Sequence, residues 1–306
     1  MNPTLSSRPP DNLPASIKPR PFSPLQTHYR TENTALSRKP LSLLLSHIIG
    51  NGKSRSVILG ICLCTAAGIA QAEYMAEGTY HAAVTGSGLS IWNGTGTEQT
   101  FNFNQGATLD NPGLGVSPVN VDGKLHINVG HDQTLNLHST DTYEPVNIGA
   151  SGELDISDGH LNIRYAPEGN DKSAFMMDGG GKLTINNQSL AIDTASEAGF
   201  NVQEAATVSV KNSGDFSVTN VLRGIGLQTR NAGTSPQMTV ESENIGIDAS
   251  VAKGGAVYLL AYHVPGTHTA LSLTARETVH LNGDSYGTYT YGNNTLDIAG
   301  KNVDIG

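Results

Sequence analysis

The chain has 306 residues, of which 37% are hydrophobic and only 15% charged, with a formal net charge of −9 and two cysteines. The acidic balance weighs against nucleic acid or an anionic membrane as a partner, since both call for a basic face. Both cysteines, Cys62 and Cys64, fall in one apolar run, so the remainder of the chain must be stable without disulfides.

Residues 1–50 form a basic extension rich in Pro and Ser, with phrases such as Arg8-Pro9-Pro10 and Lys18-Pro19-Arg20-Pro21 and no sustained periodicity. That composition predicts disorder. Residues 51–72 follow as a secretory signal peptide: Lys53 and Arg55 flank the apolar run Val57 to Ala70, and Ala70-Gln71-Ala72 supplies the small residues of a cleavage site. The run is too short to cross the ~30 Å hydrocarbon core of a bilayer as a helix. Large aliphatic residues, Ile61 and Leu63, precede the two cysteines and argue against a lipoprotein signal. Charge marks the same boundary. Residues 1–72 hold eight of the 18 Lys+Arg and two of the 27 Asp+Glu, so residues 73–306 carry a formal −15.

Within the segment from residue 73 onward the chain repeats, starting at Leu125, one three-part phrase of apolar doublets at i and i+2. The first part recurs as Leu125/Ile127, Leu154/Ile156, Leu183/Ile185, Val208/Val210, Met238/Val240, Leu271/Leu273 and Leu296/Ile298. The second runs Leu135/Leu137, Leu161/Ile163, Leu190/Ile192, Phe216/Val218, Ile245/Ile247, Val279/Leu281 and Val303/Ile305. The third is Val146/Ile148, Phe175/Met177, Phe200/Val202, Ile225/Leu227, Val257/Leu259 and, loosely, Tyr286/Tyr289. Apolar residues two apart describe a half-buried strand. Between doublets stand phrases such as Ser157-Asp158-Gly159, which tolerate the positive φ of a sharp bend.

Hairpin pairing in sequence order leaves a period of 25 to 33 residues without a cause, whereas coiling accounts for it directly. Stacking like doublets puts Leu154 on Leu125 and Leu183 on Leu154, with backbone groups pairing between coils about 4.8 Å apart. One coil alone buries too little apolar surface to offset the ordering of its residues, so the coils must fold as a stack. The predicted fold is an all-β, right-handed parallel β-helix of three strands per coil and about seven coils, spanning 73–306.

The phrases Gly181-Lys182-Leu183-Thr184-Ile185-Asn186-Asn187, Asn282-Gly283-Asp284-Ser285-Tyr286-Gly287-Thr288-Tyr289 and Asn294-Thr295-Leu296-Asp297-Ile298, placed after a signal segment, resemble the passenger domain of a bacterial autotransporter of the type V secretion class. The resemblance implies an exported protein at the bacterial cell surface, a stalk or adhesin that binds a host or bacterial surface ligand. It also implies a C-terminal outer-membrane barrel, which is not seen in this sequence, so the expectation is an N-terminal part of a longer protein or a truncated gene. Self-association through the open strand edges at Ile305 is a further expected contact.

Candidate chemistry is sparse. Gly283-Asp284-Ser285-Tyr286-Gly287 matches the G-x-S-x-G nucleophile elbow, but that motif needs a strand-to-helix turn and a later acid and His, and no His follows His280. His126, His131 and His138, or His263 and His268, have no tight metal-ligand spacing and no accompanying cysteine. His126, lying between Leu125 and Ile127, is expected to face solvent. Asp155, Asp158 and Asp171 lack the Gly-Gly-x-Gly-x-Asp repeat of calcium-bound β-rolls. The outward positions Asp155, Thr184, Ser209, Thr239, Ser272 and Asp297 are mostly small and polar, and Asp155 and Asp297 stand too far apart for a carboxylate pair. No catalytic, cofactor or metal site is therefore expected, and binding is favoured over the alternative of a β-helical polysaccharide lyase or glycosidase.

Overall fold

Neighbouring strands pair in parallel throughout the computed structural model, as stacked coils require. The structure describes residues 72–111, 115–140, 143–166, 172–194, 197–251 and 253–306. The basic extension and, but for Ala72, the signal segment lie outside them, as does Asp171. Among the described residues there is no helix, and the strands stack as a β-solenoid of about seven turns.

The three apolar phrases become three walls. Leu125, Leu154, Leu183, Val208, Met238, Leu271 and Leu296 are partners in one unbroken register. Leu135, Leu161, Leu190, Phe216, Ile245, Val279 and Val303 form a second column. These two walls belong to one sixteen-stranded sheet, and the third phrases form a separate nine-stranded sheet. The apolar members face one another across a narrow interior in which Leu125, Leu135 and Val146 are fully buried. Like residues stack between coils: Phe175 and Phe200 lie 4.6 Å apart with ring planes only 2° from parallel.

The columns also continue toward the N-terminus. Phe101 pairs with Ile127 and Gly78 with Phe101, while Ile91 pairs with Val119. These coils escape the apolar pattern because polar residues occupy inward positions: Gln99 stands where Leu125 stands one coil later, and Asn93 where Val121 does. Asn93 suits its place because it bonds to the turn around it. Its Oδ1 accepts the Gly123 N–H at 2.9 Å, and its Nδ2 donates to Thr97 and to the Lys124 carbonyl.

Corners follow local sequence. At Ser157-Asp158-Gly159 both Asp158 and Gly159 take positive φ, 57° and 52°, and the strand breaks cleanly. At two later corners the strand continues unbroken: Gln237–Ala249 and Thr269–Gly283 each serve both walls of the sixteen-stranded sheet, with a register shift between Ser242 and Asn244. Gly152 marks another corner, where a Cβ would sit 2.2 Å from the Val121 carbonyl oxygen.

One assignment needs correction. Tyr286/Tyr289 is not the inward doublet of the last coil. Thr288 and Thr290 occupy the positions below Val257 and Leu259, and Tyr289 falls outside, over Tyr258. A spacing of three cannot place two side chains on one face of a strand whose period is two.

Candidate functional site

Middle residues of the third doublets project from the nine-stranded sheet and define its outer face. In register they run Asn120, Asn147, Met176, Asn201, Gly226, Tyr258 and Tyr289. A neighbouring column carries Gln203, Gln228 and Leu260. Gly226, lacking a side chain between Asn201 and Tyr258, leaves a depression, and around it opens a groove of about 390 Å³.

One flank of the groove is a ladder of opposite charges. Lys172 Nζ lies 3.4 Å from a Glu144 carboxylate oxygen, and Arg223 donates to Glu197 at 2.7 Å. The Arg223 guanidinium also lies 4.5 Å from the centre of the Tyr258 ring, which is stacked on Tyr289 at 5.2 Å. Burial raises the Tyr258 hydroxyl above its ordinary pKa, with Arg223 pulling the other way. The floor is a set of amides: Gln203 and Gln228 both donate to Asn201 Oδ1, at 3.2 and 3.1 Å.

The opposite flank is the segment after Thr229, where Arg230 lies 5.1 Å over the Tyr262 ring. Glu204 holds this segment. Its carboxylate accepts the N–H groups of Arg230 and Asn231 and the hydroxyls of Thr229 and Thr234. Burial by itself would raise the Glu204 pKa, but these hydrogen bonds outweigh it and hold the carboxyl below its usual value.

The residues singled out in the sequence lie elsewhere, and of them His126 and Asp155 come together. His126 is on the outer face of the sixteen-stranded sheet, only partly exposed, between Glu98 at 3.4 Å and Asp155 at 3.1 Å. Lys124 first, and His126 after it, keep the Glu98 carboxyl below its usual pKa. His131 is exposed beside Asp132, and His138 stands in register between Asp110 and Arg164. His263 packs on the edge of Tyr291 and His268 hydrogen-bonds Thr295. Among the described residues no three His, Cys, Asp or Glu side chains are grouped to hold a metal ion. Ser285 is exposed at a bend, its N–H donating to the Gly254 carbonyl, and His280 is hydrogen-bonded to Asp304 instead. Asp155 and Asp297 occupy the same outward column with Thr184, Ser209, Thr239 and Ser272 between them.

The groove was not singled out in the sequence. Asn201, Gly226 and Tyr258 sit inside third-phrase doublets, and reading those middle positions as a column would have exposed them. Arg223, Arg230 and Tyr262 lie at strand ends and in a bend, where no period applies. No protein family, curated protein or solved structure matches the chain.

Proposed function

We propose that this chain is an exported, surface-displayed β-helical protein of the autotransporter passenger kind, and that it works by binding through the outer face of its nine-stranded sheet. The observation that carries this reading is the groove itself, a concave patch of tyrosine, planar amide and arginine side chains, where the outward column from Thr184 to Ser272 on the other sheet offers only short hydroxyls. Aromatic and arginine side chains are the ones that dominate recognition surfaces. The rigid, parallel-paired sheet beneath them fixes their positions, so little ordering is needed on binding.

The enzyme alternative finds weaker support. Ser285 has neither the strand-to-helix turn nor the histidine of a hydrolase elbow, and the outward carboxylates Asp155 and Asp297 are five coils, roughly 24 Å, apart at the usual rung spacing. That is far beyond the separation that glycosidic cleavage uses.

The test is an array of immobilised polysaccharides and surface glycoproteins probed with the full chain and with Tyr258→Ala/Tyr262→Ala and Ser285→Ala variants. Retention lost in the double tyrosine variant and intact in Ser285→Ala is the expected result. Hydrolytic turnover abolished by Ser285→Ala would overturn the binding reading.

A further inference from the structure

Trp92, the chain's single tryptophan, stands on the outer face of the nine-stranded sheet one coil before Asn120. It is 54% exposed, and Tyr74, 57% exposed, lies 6.1 Å away with the two rings tilted by 43°, so neither ring stacks on the other. The indole reaches toward Gly94, where a Cβ would meet it at 3.6 Å. Asp122 follows that glycine in register one coil on, its N–H bonded to the Asn93 carbonyl at 2.8 Å. The Asp122 carboxylate receives the Asn120 amide at 3.5 Å and makes no ion pair among the described residues. That is unlike most of this surface, where seven of the ten Lys and Arg in residues 73–306 are paired with an acid one coil away.

The same sheet shows what a carboxylate and a ring on neighbouring coils take between them. Arg223 donates to Glu197 one coil before it at 2.7 Å and lies 4.5 Å from the centre of the Tyr258 ring one coil after it. Arg230 likewise lies 5.1 Å over Tyr262. Trp92 and Asp122 supply the ring and the carboxylate without the arginine. We infer that they receive an arginine side chain from a basic peptide segment of a partner protein, with the guanidinium on the indole and its fork on the Asp122 carboxylate. A planar guanidinium stacks on aromatic rings, tryptophan best of all, and its paired N–H groups match a carboxylate in a bidentate manner. Charge complementarity selects such a partner, because residues 73–306 carry 25 acidic and 10 basic groups. The inference uses the face proposed above but neither its groove nor Tyr258 and Tyr262, so the two can fail separately.

Other occupants fit less well. Nucleic acids and acidic polysaccharides are repelled by Asp122 and by the net charge of the solenoid. A second copy brings the same acidic surface, and its Arg223 and Arg276 are already paired with Glu197 and Glu243. A neutral sugar ring would meet the indole but leave the Asp122 charge unanswered. A lysine offers a compact, strongly hydrated charge that neither stacks on a ring nor forks onto a carboxylate.

Since the chain has one tryptophan, its emission reports this site directly. The experiment titrates the full chain with capped peptides that alternate glycine with arginine, lysine or glutamate, and with a neutral maltooligosaccharide, following tryptophan fluorescence and calorimetry together. The arginine peptide should bind and shift the emission, the lysine peptide should bind roughly fivefold or more weakly, and the glutamate peptide and the sugar should do neither. Asp122→Asn should weaken the arginine peptide by about tenfold, as should Trp92→Ala read by calorimetry, while Tyr258→Ala/Tyr262→Ala should leave it unchanged. Circular dichroism of each variant checks that the exposed substitutions leave the solenoid intact. Equal binding of the arginine and lysine peptides with no loss in Asp122→Asn would reveal only diffuse attraction to an acidic surface and overturn the inference. Loss in the double tyrosine variant would place the peptide in the groove and overturn it as well, as would a larger emission shift with the sugar than with the arginine peptide. An unshifted emission with all four probes would overturn it while leaving the groove reading to its own array test.

Discussion

On the outer face of the sixteen-stranded sheet one column passes from Thr184 through Ser209, Thr239 and Ser272, all short hydroxyl side chains. On the nine-stranded sheet the corresponding column passes from Asn201 over Gly226 to Tyr258 and Tyr289. Beneath both lies the same kind of apolar stack, with Leu183 and Val208 under one and Phe200 and Ile225 under the other. The buried positions are constrained by close packing between coils, so they vary little in character. Outward positions have no such constraint, and the two columns differ accordingly, one carrying large, chemically distinct side chains and the other short hydroxyls.

The comparison is broken most severely from inside. Leu183→Asp puts a charge among fully buried neighbours with no partner, and should destabilise the chain by about 4 kcal/mol or more, read as a fall in the urea midpoint together with protease cleavage in the flanking coils. A wild-type midpoint would refute the stacked-column interior. Gly152→Ala tests a corner. The new Cβ meets the Val121 carbonyl oxygen at 2.2 Å, and the backbone shift that relieves it should cost on the order of 2 kcal/mol by the same measurement.

The groove face should respond to acid through Glu204. Its carboxyl is held below the ordinary value of 4.5 in the folded chain, so the folded form binds fewer protons than the unfolded one as pH falls past that value. The stabilisation is present above the ordinary value and is lost as pH drops through the depressed one. Glu204→Gln should reduce stability at neutral pH by about 1 kcal/mol, allowing for solvent screening at this partly exposed site, and should flatten the acid limb of the unfolding profile. An unchanged acid limb would show that the clamp contributes nothing. The smallest effect belongs to the opposite face: Thr184→Lys, adjacent in register to Asp155, should change stability by no more than about 0.5 kcal/mol. A large loss there would mean that the two outer faces differ less than their side chains suggest.

Much of the fold was legible because a doublet such as Leu154/Ile156 states two things at once: the i, i+2 spacing makes a strand, and recurrence one coil later makes a column. Where an inward position is polar, as at Gln99 and Asn93, the pattern lapses although the coil persists, because its neighbour supplies the pairing. The Tyr286/Tyr289 assignment failed for the complementary reason, since aromatic character was allowed to stand in for period. The strand that runs unbroken from Gln237 to Ala249 had no local signal, since the glycine-free corner at Asn187-Gln188-Ser189 breaks while the one at Glu241 to Asn244 does not.

The sequence alone determined the interior, since burial of apolar side chains and pairing of backbone groups act on every coil in the same way, and a repeated pattern has one economical stack. Only the tertiary structure decided the groove. Arg223 meets Tyr258, and Glu204 grips the segment that carries Arg230, because coiling brings residues 26 to 35 positions apart into contact across one rung. Those contacts depend on the length of each corner, which sets where an outward side chain falls relative to the next coil, and no local period encodes that offset.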